Sequence, residues 1–171
     1  MLNEDILKAI YREAPKGSLA KWVGPLNQAC TEFGIGSPQQ MCMFLAQIGH
    51  ESGQLRYVKE LASGAAYEGR SDLGNTAPGD GVRYKGRGLI QITGKRNYVL
   101  CSLALDLPLL ETPELLEQPL NAARSAGWFY YNNNLSAYGD DIRKVTRRIN
   151  GGFNGLEDRI KLYERAKKVL L

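Results

Sequence analysis

Two glutamates and a glycine-rich stretch carry the chemistry most open to this sequence. Glu51 stands in His50-Glu51-Ser52-Gly53, at the close of an apolar helical run, and Glu60 follows nine positions later. Downstream comes Tyr84-Lys85-Gly86-Arg87-Gly88-Leu89-Ile90-Gln91-Ile92-Thr93-Gly94. Cleavage of a glycosidic bond needs one carboxyl to give a proton and a second to activate water. Glutamates are common on surfaces, so the pair alone says little. A polar, glycine-rich strand beside it makes the combination specific.

The elements around these residues must position them. Ser37-Pro38-Gln39-Gln40 combines an N-cap, a proline at the first helical position and a glutamine at the third, the signature of a capping box. The helix it opens places Met41, Phe44, Leu45 and Ile48 on one face. Glu51 falls seven residues after Phe44 and projects along the flank of that stripe, with His50 pointing away. A carboxyl on the core-side edge of a helix is partly desolvated and keeps its proton longer, as a general acid must. Before this helix, Asn3 caps a first helix carrying Ile6, Leu7 and Ile10. A second helical region spans Leu19 to Phe33, with a break expected at Gly24-Pro25 and an end at Gly34.

From Gly53 to Gly88 eight glycines and Pro78 break any period, so the segment reads as irregular loop. A loop this long in a compact domain is functional or mobile. Alternation over Leu89–Ile92 sets Gln91 and Thr93 opposite Ile90 and Ile92, and a few short β-strands are expected between about 60 and 93. Helices then return over Lys95–Leu105, from Thr112-Pro113, and over Pro119–Tyr131. A basic helix follows from Asp140 or Asp141 to Asn150-Gly151-Gly152. A terminal helix is expected to be capped by Asn154 with Glu157. The fold class is mainly α (α+β). One catalytic domain, 1–171, is expected, with a helical lobe over about 1–53 and 94–171 and a loop-rich small lobe over about 54–93.

The chain has 171 residues, 43% apolar and 23% charged, enough for one well-buried core. No stretch reaches the roughly 18 continuous apolar residues of a transmembrane helix, so no stable membrane insertion is expected. The acidic, amphipathic start, Met1 to Ile6, lacks the basic and apolar regions of a secretory signal, which leads us to expect synthesis in a cytoplasm. Cys30, Cys42 and Cys101 lie in apolar helical contexts and read as buried, reduced thiols. The net charge of +4 suits an anionic partner without choosing among nucleic acid, membrane surface and bacterial wall. Its clusters, Arg143-Lys144 with Arg147-Arg148 and Lys167-Lys168, read as solvated helix faces. With one histidine a zinc amidase, which needs several His ligands, is not expected, the cysteines have no recognised ligand spacing, and no loop has the phosphate-binding form. No metal or cofactor is expected.

The blocks Ala46 to Gly53, Glu60 to Gly64, Tyr84 to Tyr98 and Ile149 to Gly152 occur in an order that resembles glycoside hydrolase family 19. That is the chitinase-like family of the lysozyme superfamily, and the likeness is strongest to its bacteriophage endolysin branch. The resemblance covers roughly residues 18 to 168. It implies a lysozyme-like, two-lobed helical domain. It implies Glu51 as proton donor, and Glu60 as the second acid that holds and activates water with the Thr93 hydroxyl. Gln91, Tyr98 and Asn150 match positions lining the sugar groove. Arg159 resembles a basic residue that tunes the acids. The family is inverting, with carboxyls roughly 6.5–9.5 Å apart. The sequence departs from the plant pattern in having Ser52-Gly53-Gln54 after the first acid, where many relatives have two glycines. The short spacing to the second acid favours Glu60 over Glu68.

The reaction so implied is hydrolysis of the β-1,4 bonds between amino sugars of bacterial peptidoglycan. The alternative within enzymes is a chitinase acting on poly-N-acetylglucosamine, which shares the 2-acetamido sugar and the linkage. A non-catalytic wall-glycan-binding domain is a third reading, opposed by the presence of both acids, and nucleic-acid binding rests on charge alone. The phage resemblance further implies a monomer made in a host cytoplasm and acting in the periplasm after release. That release would depend indirectly on a hole-forming holin.

Overall fold

The computed structural model describes residues 1–171, and the mainly helical class holds. Eight helices are joined by short 3-10 turns: α1 (Glu4–Ile10), α2 (Val23–Glu32), α3 (Pro38–Glu51), α4 (Asp80–Arg83), α5 (Lys95–Leu105), α6 (Pro119–Asn132), α7 (Ile142–Asn150) and α8 (Leu156–Leu170). The Asn3 side chain accepts from the Ile6 N–H at 2.8 Å, and Leu7 and Ile10 are buried. The break expected at Gly24-Pro25 falls slightly earlier, where the 3-10 turn Ala20–Trp22 runs into α2. Pro25 then lies in the first turn of α2, where a missing N–H leaves no bond unmade.

α3 is more central than a one-faced stripe. The Ser37 capping box is formed with Gln40, and every residue from Cys42 to Gly49 is buried. A helix buried all round is a core helix. Gly49 permits the closest approach: a β-carbon there would stand 2.5 Å from Cε1 of Tyr11 and 3.1 Å from Cδ1 of Leu162. α8 packs along α3, α6 along α2, and α1 against α8. The 36 buried apolar residues form one continuous core, so α3 has no second core to serve.

Between α3 and α5 the chain makes 3-10 turns at Ala65–Tyr67 and Ser71–Leu73, then the single turn of α4. The expected short strands reduce to two isolated bridges, Lys59 with Arg87 and Arg87 with Ile92. Left-handed residues at Gly64, Gly69, Gly74, Gly79, Gly88 and Gln91 interrupt any longer extended run. Buried Arg87 ties this segment to its surroundings: Nη1 donates to Arg83 O at 2.7 Å and to the Tyr98 hydroxyl at 3.0 Å, and Nε donates to Glu117 at 3.0 Å.

Two expected helix starts differ. The run from Pro113 forms a 3-10 helix to Glu117, not an α-helix. The cap expected from Asn154 is absent; α8 begins after Gly155 in the left-handed conformation, φ +72°. The His50 ring occupies the space where a Gly155 side chain would be, 2.0 Å from an ideal β-carbon. The chain must turn tightly over that ring, and only glycine allows it. No helix is long and apolar enough to cross a membrane.

Candidate active site

Glu51 is the last residue of α3, and three helices meet beneath it. Nη2 of Arg159, on α8, donates to its carboxylate at 2.6 Å. Nη1 donates to Gln47 Oε1 at 2.7 Å, and Nε donates to Asn154 O at 3.2 Å. Gln47, one turn before Glu51 on α3, donates in turn to Thr146 of α7 at 3.2 Å. The guanidinium is buried and the Glu51 side chain keeps one-fifth of its surface, 20%. The apolar surroundings expected at this carboxyl are therefore replaced by an ion pair. Burying such a pair is costly, and its compensation is orientation through several hydrogen bonds.

The chain leaves Glu51 through a left-handed turn, Gly53-Gln54-Leu55, with φ of 60°, 60° and 64°. Ser52 braces it, donating to Ile48 O at 2.6 Å and accepting from the Leu55 N–H at 2.8 Å. Gln54 accepts from the Glu13 N–H at 3.0 Å and donates to its carboxylate at 2.8 Å. It fastens the turn to the segment after α1.

Glu60 is held differently. Its carboxylate accepts the Gly86 N–H at 2.6 Å and the Tyr67 hydroxyl at 3.1 Å. Burial first, then this bond to Glu60, pushes the Tyr67 hydroxyl above its ordinary pKa. Gly86 is the meeting point: a β-carbon on it would lie 2.7 Å from Gln91 Oε1 and 3.2 Å from Thr93 Oγ1. The Glu60 carboxylate, the Gln91 amide and the Thr93 hydroxyl thus surround one glycine. Thr93 donates to Gln91 O at 3.0 Å, and Gln91, at φ +59°, donates to Gly88 O at 3.0 Å. Glu68, the rival second acid, accepts the N–H groups of Gly79 at 2.8 Å and Gly81 at 2.9 Å. Those two backbone bonds hold its carboxyl below the ordinary range, and they make it a brace for the loop.

A cleft of about 240 Å³ opens beside Gln91 and Thr93, walled also by Leu73, Asn97, Trp128 and Asn132. Tyr98 is not on it, and its expected place in the groove is corrected. It is fully buried, donating to Lys85 O at 2.5 Å and accepting from Arg87. Its neighbour Asn97 lines the cleft instead, donating to Thr93 O at 2.8 Å. The helical period contained this signal: Tyr98 is in phase with buried Cys101 and Leu105, three and seven residues on, and Asn97 is not. Trp128 of α6 is the other wall, one that sequence reasoning left unnoticed. Asn150 ends α7 exposed, its side chain accepting the Asn154 N–H at 3.3 Å.

The three thiols are buried and free. Burial pushes Cys30 and Cys101 up to about 12, so neither is a nucleophile at neutral pH.

A helical domain with one carboxyl at the end of its central helix and a second beside a polar cleft has the make-up of a two-carboxylate glycosidase. No family model matches the chain. A protein of Haemophilus influenzae described as a glycosyl hydrolase family 19 domain-containing protein is 32% identical, over 95% of this chain and 94% of its own length. An endochitinase of Arabidopsis thaliana is 38% identical over 70% of this chain and 42% of its own, so the chain spans about two fifths of that relative. Among solved structures, a class IV family 19 chitinase from Zea mays superposes with a TM-score of 0.78 at 22% identity, covering 99% of this chain and 92% of that one. The chain belongs to glycoside hydrolase family 19, with the lysozyme-like fold of its chitinases, and is an enzyme of that type.

Proposed function

We propose that this chain hydrolyses the β-1,4 bonds between the amino sugars of bacterial peptidoglycan, as an endolysin does. The carrying observation is the pair of differently held carboxylates: Glu51 ion-paired with Arg159, and Glu60 beside Gly86, Thr93 and the cleft. Glu51 protonates the leaving oxygen, and Arg159 stabilises the carboxylate that forms. Glu60 takes a proton from the attacking water, and the Thr93 hydroxyl orients that water. Attack on the face opposite the leaving group inverts the anomeric centre. Gln91, Asn97 and Asn150 contact the sugar; Tyr98 and Arg87 support the floor from below. The net charge of +4 supports an anionic wall polymer over a neutral one. The enzyme acts as a monomer in the periplasm, after a holin has opened its way from the host cytoplasm.

Chitin hydrolysis is the second reading, favoured by the names of the Arabidopsis and maize relatives. Mass spectrometry of products from purified peptidoglycan, beside a chitin oligomer and with Glu51→Gln as control, separates the two. Muropeptide fragments that Glu51→Gln does not release support the wall reading. Cleavage of the chitin oligomer alone overturns it. Early-time NMR must show inverted product anomers, and retention would remove Glu60 from the base role.

A further inference from the structure

α7 is bound to the acid site on one face and strongly basic on the other. Inwardly it buries Val145 and Thr146, and Thr146 joins the Gln47–Arg159–Glu51 chain of hydrogen bonds. Outwardly Lys144, Arg147, Arg148 and Gly151 follow the i, i+3, i+4, i+7 spacing that shares one helix face. With Tyr138 they wall an open hollow of about 550 Å³, larger than the cleft beside Thr93. Arg147 and Arg148 form no ion pair, and Lys144 reaches only Asp141, at 3.8 Å. The helix dipole favours cations in a last turn, which accounts for the sign of the two arginines. It does not account for three cations sharing one hollow with Asp141 as the one carboxylate paired to any of them, since like charges at this spacing repel.

We propose that this hollow is a substrate-recognition site for carboxylates on the peptide stems of the wall glycan held in the groove. The proposal rests on the peptidoglycan reading and names what that reading leaves open, how the enzyme tells its polymer from neutral chitin. The hollow lies across α7 from Thr146, about one helix diameter (~10 Å) away, and Thr146 accepts from Gln47 of the Glu51 site. It adjoins Asn150, whose next residue, Gly151, forms part of its wall. A glycan strand in the groove therefore brings its stems to these cations, whereas poly-N-acetylglucosamine has no negative charge to offer them. A guanidinium meets a carboxylate through two parallel hydrogen bonds, which suits arginine to this task.

The test compares wild type, R147Q/R148Q and R147K/R148K as full-length chains. The substrates are purified wall strands bearing peptide stems and the same strands after carbodiimide amidation of their carboxylates. Amidation should raise the wild-type KM about 5- to 10-fold, the effect of two exposed ion pairs. R147Q/R148Q should show that higher KM on native strands already, with no further rise on amidation, and R147K/R148K should recover part of the loss. All three residues are solvent-exposed, and matching thermal unfolding will verify that the fold is kept. Equal KM for wild type and R147Q/R148Q on native strands overturns the proposal while leaving the wall reading intact. The same holds if the variant instead loses binding to phosphatidylglycerol vesicles, which would assign the hollow to lipid phosphate. A wild type that cleaves a chitin oligomer but no wall strand removes both readings together.

Discussion

Glu51 and Glu60 have partners of different kinds, and the donor and base roles proposed for them rest on that difference. A guanidinium is paired with Glu51, the proposed donor; a backbone amide and a phenol hold Glu60, the proposed acceptor, in place. Glu51→Gln should lower kcat by about 10²–10⁴-fold, with the circular dichroism of the wild type. A folded variant that cleared cell walls at close to the normal rate would remove Glu51 from the donor role. Glu60→Gln should be severe and Thr93→Ala milder, because a water can partly replace a hydroxyl. Their double mutant should lose less than the sum of the two, as groups acting on one water do. At this scale residue type and order singled out Glu51, Glu60, Thr93, Gln91 and Arg159, and the structure brings Arg159 to Glu51 and sets Glu60, Gln91 and Thr93 around Gly86. Tyr98 was misplaced because a match in sequence does not say on which side of a helix a residue falls. Its phase with Cys101 and Leu105 does say so.

The site is assembled where elements end. α3 delivers Glu51 at its final residue, and the Ser37 capping box that starts it was readable from residue types alone. The turns between α3 and α5 were readable as irregular, but not in their path, since the glycines break any period that would predict one. Gly86 shows what that path achieves. Its N–H holds Glu60, and the bare α-carbon leaves room for Gln91 and Thr93. Its φ is not left-handed, so alanine costs no backbone strain there and acts only through its methyl group. Gly86→Ala would set that methyl 2.7 Å from Gln91 Oε1 and 3.2 Å from Thr93 Oγ1. The side chains of Gln91 and Thr93 should give way, at a stability cost of about 1 kcal/mol, in the lower range for small overpacking. Activity should fall about 10²-fold, since a displacement near 1 Å of a positioning group has that effect. Steady-state kinetics with denaturant unfolding of the same preparation measures both. A loss of stability with kcat unchanged would mean that Gly86 serves the fold alone.

Across the whole molecule, the acid site depends on ties between chain segments far apart in sequence, and these were hidden from sequence reasoning. The Glu13 carboxylate, after α1, meets Arg165 of α8 through two bonds of 2.8 and 2.9 Å and accepts from Gln54 at 2.8 Å. It thereby joins the first and last helices to the turn that follows Glu51. Nothing local to residues 13, 54 or 165 announces such a contact, because it is created by the packing of α1 and α8 about α3. The bond from Arg165 first, and that from Gln54 second, lower the Glu13 carboxyl from its ordinary 4.5 to about 2. A carboxyl depressed in the folded state binds its proton more readily when unfolded, so its contribution is complete above about pH 4.5. That contribution is then lost as the pH falls through the folded value of about 2. Over half of the Glu13 side chain is exposed, 54%, so solvent screening limits the contribution to about 1 kcal/mol. Glu13→Gln removes the titrating group while keeping the shape. Thermal unfolding followed from pH 7 down to pH 2 should show the variant less stable than wild type above pH 4.5, with the gap closing toward pH 2. A gap that stayed constant over that range would show that the charge at Glu13 does not hold α1, α8 and the Gln54 turn together.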